Sequence, residues 1–131
     1  MANDEDRTKN EKCQKLPIVH RRKIEWKGGD CNDGVLTLSY PDYEGEVDEW
    51  LHALYELGLT DRNCHARYAE LEKLAGEKDV SIDELELSRD DILSVMTYYT
   101  RAERFCTGVL ASVTENGTLE KLGIRLNELT K

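Results

Sequence analysis

From residue 42 onward the apolar residues recur at helical spacing, and the positions between them are mostly charged. Val47, Trp50, Leu51, Leu54 and Tyr55 fall at i, i+3, i+4, i+7 and i+8, which predicts an amphipathic helix ending at Gly58. A second helix is predicted from Asp61, as its N-cap, to Gly76, with Tyr68, Leu71, Leu74 and Ala75 inward. Ser81 with Glu84 reads as a capping box opening one short turn, and Ser88 with Asp91 as a cap opening a long helix. Ile92, Val95, Met96 and Tyr99 form its stripe, which continues in register through Cys106, Val109, Leu110 and Val113. Either one helix runs from Arg89 to Glu115 or two helices meet inside "TRAERF". Asn116–Gly117 is a stop, and Leu119, Leu122, Leu126 and Leu129 define a last helix.

The first forty residues follow a different pattern. Residues 1–15 are polar and mixed in charge, which predicts a flexible charged tail. "LPIVHRRKIEW" brings the first apolar content, "KGGDCNDG" breaks structure, and "VLTLSY" is β-rich and ends at Pro41. Two strands, near Lys23–Trp26 and Val35–Tyr40, are expected to pair as a hairpin that needs a helical surface beneath it. The expected fold is a predominantly helical α+β domain over residues 16–131, with an N-terminal β-hairpin packed on a bundle of four to five helices.

Charge narrows the partners. The net charge is −9, and it is uneven: residues 1–27 hold eight bases and five acids, residues 28–131 ten bases and twenty-two acids. Such a surface repels polyanions and attracts basic ones, so direct nucleic-acid binding is disfavoured and the expected partner is a protein with a basic surface. No apolar run is long enough for a membrane span and no apolar leader opens the chain, so the expected location is the cytoplasm. Cys13, Cys31, Cys64 and Cys106 lie far apart, with no C-x-x-C spacing among them or with His20, His52 and His65, so no metal or cofactor is expected.

Three clusters could carry function. Arg101, Glu103 and Arg104 suit either a guanidinium pair gripping an anion or a structural network with the domain's own acids, with Phe105 and Cys106 turned into the core. The acids Asp42, Glu44, Glu46, Asp48 and Glu49, with Asp83, Glu84 and Glu86, could present carboxylates to a basic groove, imitating a phosphate backbone. His20–Lys23 is a small basic patch with Trp26 as its only nearby ring, the alternative site for nucleic acid. No nucleophile elbow, phosphate loop, zinc-protease helix or dinucleotide fingerprint occurs, so an enzyme is not expected.

The Tyr40, Pro41, Tyr43 step, the block Arg101, Glu103, Arg104, Phe105 and Gly108, and the Gly117, Leu119, Leu122, Leu126 end resemble a domain family of unknown function spread through bacteria, phages and mobile elements. The resemblance covers about residues 24–129 and implies a bend near Arg101, where relatives carry glycine at the position of Ala102. It implies no reaction, substrate or cofactor. The expected function is a non-enzymatic, acidic protein–protein interaction module. Its sharper form is a phage or mobile-element inhibitor of a host nucleic-acid-targeting defence system, in the manner of anti-CRISPR proteins. The alternatives are an anion-binding or enzymatic domain using Arg101 and Arg104, and a nucleic-acid binder through residues 20–23.

Overall fold

The computed structural model describes residues 4–28, 31–32, 35–36 and 39–131, and within 31–36 the backbone only. Six α-helices are present among these residues: α1 (Asp4–Gln14), α2 (Glu46–Glu56), α3 (Cys64–Lys78), α4 (Arg89–Glu103), α5 (Val109–Glu115) and α6 (Thr118–Leu129). Two antiparallel pairs of short strands form the hairpin. β1 (Trp26–Lys27) pairs β4 (Tyr40–Pro41), and β2 (Cys31–Asn32) pairs β3 (Val35–Leu36). The mostly helical α+β architecture is therefore the one the periodicity predicts. The ladder begins at Trp26, later than the expected Lys23, and parts of the glycine-rich tip and of the second expected strand lie outside the described residues.

Helix α4 is the centre of the molecule. Ile92, Leu93, Val95, Met96 and Tyr99 are buried, and so are Ser94, Thr97 and Thr100, so water reaches little of its circumference. A helix buried on nearly all sides must satisfy any polar group it carries. Thr97 Oγ1 donates to Leu93 O (2.7 Å) and Thr100 Oγ1 to Thr97 O (2.8 Å), while Ser94 Oγ donates to the Asp61 carboxylate. The Ser88–Asp91 capping box is formed in full. Ser81 does sit at the N-cap of the short 3-10 turn Ile82–Glu84, but its side chain makes no capping bond.

Residues 15–25 form a strap that meets the ladder at its end, where Glu25 O accepts from Asp42 N (2.8 Å). Leu16, Val19 and Ile24 are buried, and glutamates of three helices accept the strap's backbone N–H groups. His20 N donates to Glu46 (3.2 Å), Arg21 N to Glu120 (2.7 Å) and Ile24 N to Glu115 (3.0 Å). The basic patch is spent in the same way. The His20 ring bonds Glu46 (2.7 Å), Arg21 Nε donates to Glu115 O (2.9 Å), and Arg22 donates to Glu44 O (3.0 Å). Ile18 crosses α6 at Gly123, where an added Cβ would come within 3.4 Å of it.

The charged N-terminal stretch, expected as a tail, is helix α1. Acids Asp4, Glu5 and Asp6 occupy its first turn, favourable against the helix dipole, and Cys13 is buried at its end. Arg89 at the start of α4 ties it down, donating to Asp6 (3.1 Å) and Asn10 (2.9 Å), and Lys9 pairs with Asp90 (2.9 Å). Leu74, Tyr55 and Leu129, read as inward from periodicity, are instead exposed. Each sits at the margin of its helix's apolar stripe, where spacing alone does not fix which side the neighbouring helix covers.

Arg89→Ala removes the charged hydrogen bonds that hold α1 to α4. Amide exchange in α1 should quicken by about tenfold while the α4 core amides keep their protection. Equal acceleration in both helices would show that α1 is integral to the cooperative core.

Candidate interaction site at the junction of helices α4 and α5

The stripe shared by α4 and α5 is interrupted by a turn. Helix α4 ends at Glu103, and Phe105 N and Cys106 N both donate to Ala102 O (3.0 and 2.8 Å), winding the chain tightly through residues 104–107. Gly108 restarts the helix at φ +105°, which L side chains rarely adopt, and an added Cβ there would lie 2.9 Å from the Trp26 ring. Of the two readings of "TRAERF", the structure shows two helices.

Helix α5 has no capping side chain of its own at Gly108. The preceding helix and the segment before α2 supply the cap. Glu103 accepts from Gly108 N (2.9 Å) and Leu110 N (2.8 Å), and also from the Tyr43 hydroxyl (2.9 Å). The same hydroxyl oxygen accepts from Ala111 N (3.0 Å). Three of the N–H groups that a helix start leaves without intrahelical partners are thereby satisfied, two by a carboxylate at the positive end of the dipole and one by the phenol oxygen. Burial, and the Glu103 carboxylate it donates to, push the Tyr43 phenol's pKa up. Glu103 is thus a structural cap, and the Tyr-Pro-x-Tyr step and the Arg-x-Glu-Arg-Phe block meet in one hydrogen-bonded unit.

The two arginines of the block do not converge on a common anion site. Arg101 donates to the Cys64 sulfur (3.4 Å) and Arg62 O (3.5 Å) at the start of α3. Arg104 donates to the Tyr55 hydroxyl of α2 (3.3 Å). Neither forms an ion pair with a carboxylate among the described residues. They do join neighbouring helices, but through neutral acceptors.

Phe105 and Cys106 do not plug the core. Phe105 is 89% exposed and Cys106 is exposed, because the turn after Glu103 swings both outward. Two other exposed aromatics touch the same turn: Trp26, 49% exposed, lies against Gly108, and Tyr55, 42% exposed, accepts from Arg104. The only phenylalanine in the chain is therefore held out in water, on a turn whose neighbouring residues Arg104 and Gly108 each contact another aromatic ring.

The predicted carboxylate surface divides into engaged and unengaged acids. Asp42 pairs with Lys27 (3.1 Å) and accepts from Glu44 N (3.1 Å), contacts that hold its carboxyl below the usual range. Glu46 is taken up by His20, Asp48 lies 3.8 Å from His52, and Asp83 pairs with Lys121 (3.2 Å). Glu44, Glu49, Glu84 and Glu86 are exposed and make no ion pair among the described residues. Among those residues no three His, Cys, Asp or Glu side chains group as metal ligands would, and no helix is long and apolar enough to cross a membrane.

Fold and site together define a small helical domain presenting an aromatic turn. The chain belongs to a family of unknown function (DUF6508), whose profile matches residues 18–131, so α1 precedes the matched region. No curated protein and no solved structure matches it.

Periodicity missed the aromatic turn because the apolar stripe runs in register straight through it. The available signal was Glu103 followed by Gly108 and a fresh apolar start, an acid placed to cap the next helix. Replacing Glu103 with Gln should lower stability by about 2–3 kcal/mol, since it removes a charged acceptor from two backbone donors and a phenol. Phe105→Ala should stay within about 0.5 kcal/mol of wild type. Thermal unfolding of the two variants measures both, and a reversed order would return Phe105 to the core.

Proposed function

We propose that the protein is a non-enzymatic interaction module that docks another protein through the Phe105 turn. The supporting observation is the cost of building it. Gly108 in a left-handed conformation, the Glu103 cap and the Trp26 ring together fix a turn whose most apolar residue faces water. Exposed aromatics on rigid supports are the side chains that dominate binding energy when a partner pocket covers them, and Arg104 beside Phe105 suits the rim of such a pocket. The net charge of −9 supplies long-range attraction to a basic partner, with Glu44, Glu49, Glu84 and Glu86 as the unengaged carboxylates.

Inhibition of a host nucleic-acid-targeting system by a phage or mobile-element protein is one role for such a module. In that case the carboxylate surface would imitate a phosphate backbone. The engaged state of Asp42, Glu46 and Asp83 favours the aromatic turn as the contact and the acids as its steering field. The anion-binding reading is weakened by the separate uses of Arg101 and Arg104, and the nucleic-acid reading by the commitment of His20, Arg21 and Arg22 to the strap.

Capture from the native cell extract should recover a partner with wild-type protein. Phe105→Ala should lose it by about 30-fold or more in affinity, with unchanged melting temperature. Lysine at both Glu84 and Glu86 should mainly slow association. A partner held equally by Phe105→Ala, but lost on acid-to-lysine change, would move the contact to the carboxylates.

A further inference from the structure

A second site lies away from the Phe105 turn, between α3, the 3-10 turn and the junction of α5 with α6. It is a cleft of about 470 Å³, its polar lining including Tyr68, Glu72, Asp83, Tyr99, Asn116 and Thr118. No lysine, arginine or histidine lines it. Tyr68 stacks flat on Tyr98 (3.7 Å between centroids, 6°) and meets Tyr99 edge-on (5.9 Å, 71°), so the aromatic wall is fixed.

The electrostatics of the cleft have one sign. Glu72 and Asp83 contribute two negative charges, and Lys121 returns one by pairing with Asp83 from outside the lining (3.2 Å). The C-terminal ends of α3 and α5 abut the cleft and the N-terminal end of α6, at Thr118, opposes them. Each helix end carries roughly half a charge, so the sum is about −1.5. The Thr118 N–H is already bonded to Asn116 Oδ1 (2.9 Å), which reduces what α6 can offer an anion. Burial first, and then the Glu72 charge, raise the Tyr68 phenol's pKa; burial, Tyr68 and Asp83 raise that of Tyr99. Both carboxylates therefore act on the wall of the cleft.

We infer that this cleft binds an amphipathic cation, a guanidinium or primary ammonium on an alkyl stem. The carboxylates and phenol oxygens accept its N–H groups, and the apolar floor at Ile82 and Val113 covers the stem. An arginine or lysine side chain of a basic protein and a free polyamine share this chemistry. The inference does not depend on the Phe105 turn and stands or falls separately.

The test is an NMR titration of the full chain with agmatine, spermidine and the peptide acetyl-Gly-Arg-Gly-amide, with the citrulline peptide as the uncharged control. Saturable amide shifts confined to residues 81–83 and 116–118 are expected from the cations and none from citrulline. Glu72 is exposed, so Glu72→Gln should keep the fold, and it should weaken binding three- to tenfold. Tighter binding of the peptide than of agmatine and spermidine would identify a protein side chain as the occupant, and the reverse order a free polyamine; both support the site. Absence of saturable shifts with every cation, equal shifts with citrulline, or an unaltered Glu72→Gln variant would each overturn it.

Discussion

The Glu103 carboxylate is the interaction on which the arrangement of this molecule depends. Placed at the last residue of α4, it opens α5 through Gly108 N and Leu110 N and holds Tyr43, which in turn holds Ala111 N. Without it the start of α5 would bury donors with no acceptor, a cost of the order of kcal/mol per group. The simplest relief would be to straighten the junction into one helix, which would carry Phe105 elsewhere. One acid therefore decides both where a helix begins and where the aromatic turn points.

Around that junction the rest of the structure is a set of supports. Helix α4 is buried on nearly all sides because its small hydroxyls bond back to its own carbonyls, so α3, α5 and α6 all pack against one rigid element. The strap of residues 15–25 lies over helix ends rather than beside a strand, and its backbone is satisfied by glutamates. Much of the acidity that looks like surface in a linear reading is thus internal wiring: Glu46, Glu115 and Glu120 serve the strap, Asp91 the cap of α4, and Asp61 the buried Ser94. Other acids of the same runs, Glu44, Glu49, Glu84 and Glu86 among them, make no ion pair among the described residues. That is why the sign of the overall field is informative while the identity of a contact surface is not.

The family profile and the hydrogen-bond network bear on the same region from different sides. Tyr43 and Glu103, sixty positions apart, form one contact inside the matched residues 18–131. The Tyr68–Tyr98–Tyr99 pile and its cleft also lie there, whereas α1 lies before the match and is joined to α4 through Arg89 and Lys9 and to α6 through Gln14. Two surfaces of opposite character result, an aromatic turn beside Arg104 and a tyrosine-walled cleft of negative potential.

Local patterning determined the helices α2, α3 and α6, the start of α4, the hairpin, the capping box at Ser88 and the breaks at Gly58 and Gly117, because those features answer to spacing and backbone conformation within a few residues; it left open whether residues 89–115 form one helix or two. Charge counting determined the sign of the long-range field for the same reason: it needs no coordinates. Only the tertiary structure decided that Asp4–Gln14 is helical, since its few apolar contacts, Cys13 above all, and its tether to Arg89 come from residues far along the chain. Only it decided that Phe105 faces water, because the in-register stripe from Ile92 to Val113 is broken by a cap whose members are the end of one helix and a tyrosine sixty residues earlier. Periodicity records which residues could share a face; which face is covered, and by what, is settled by neighbours distant in sequence.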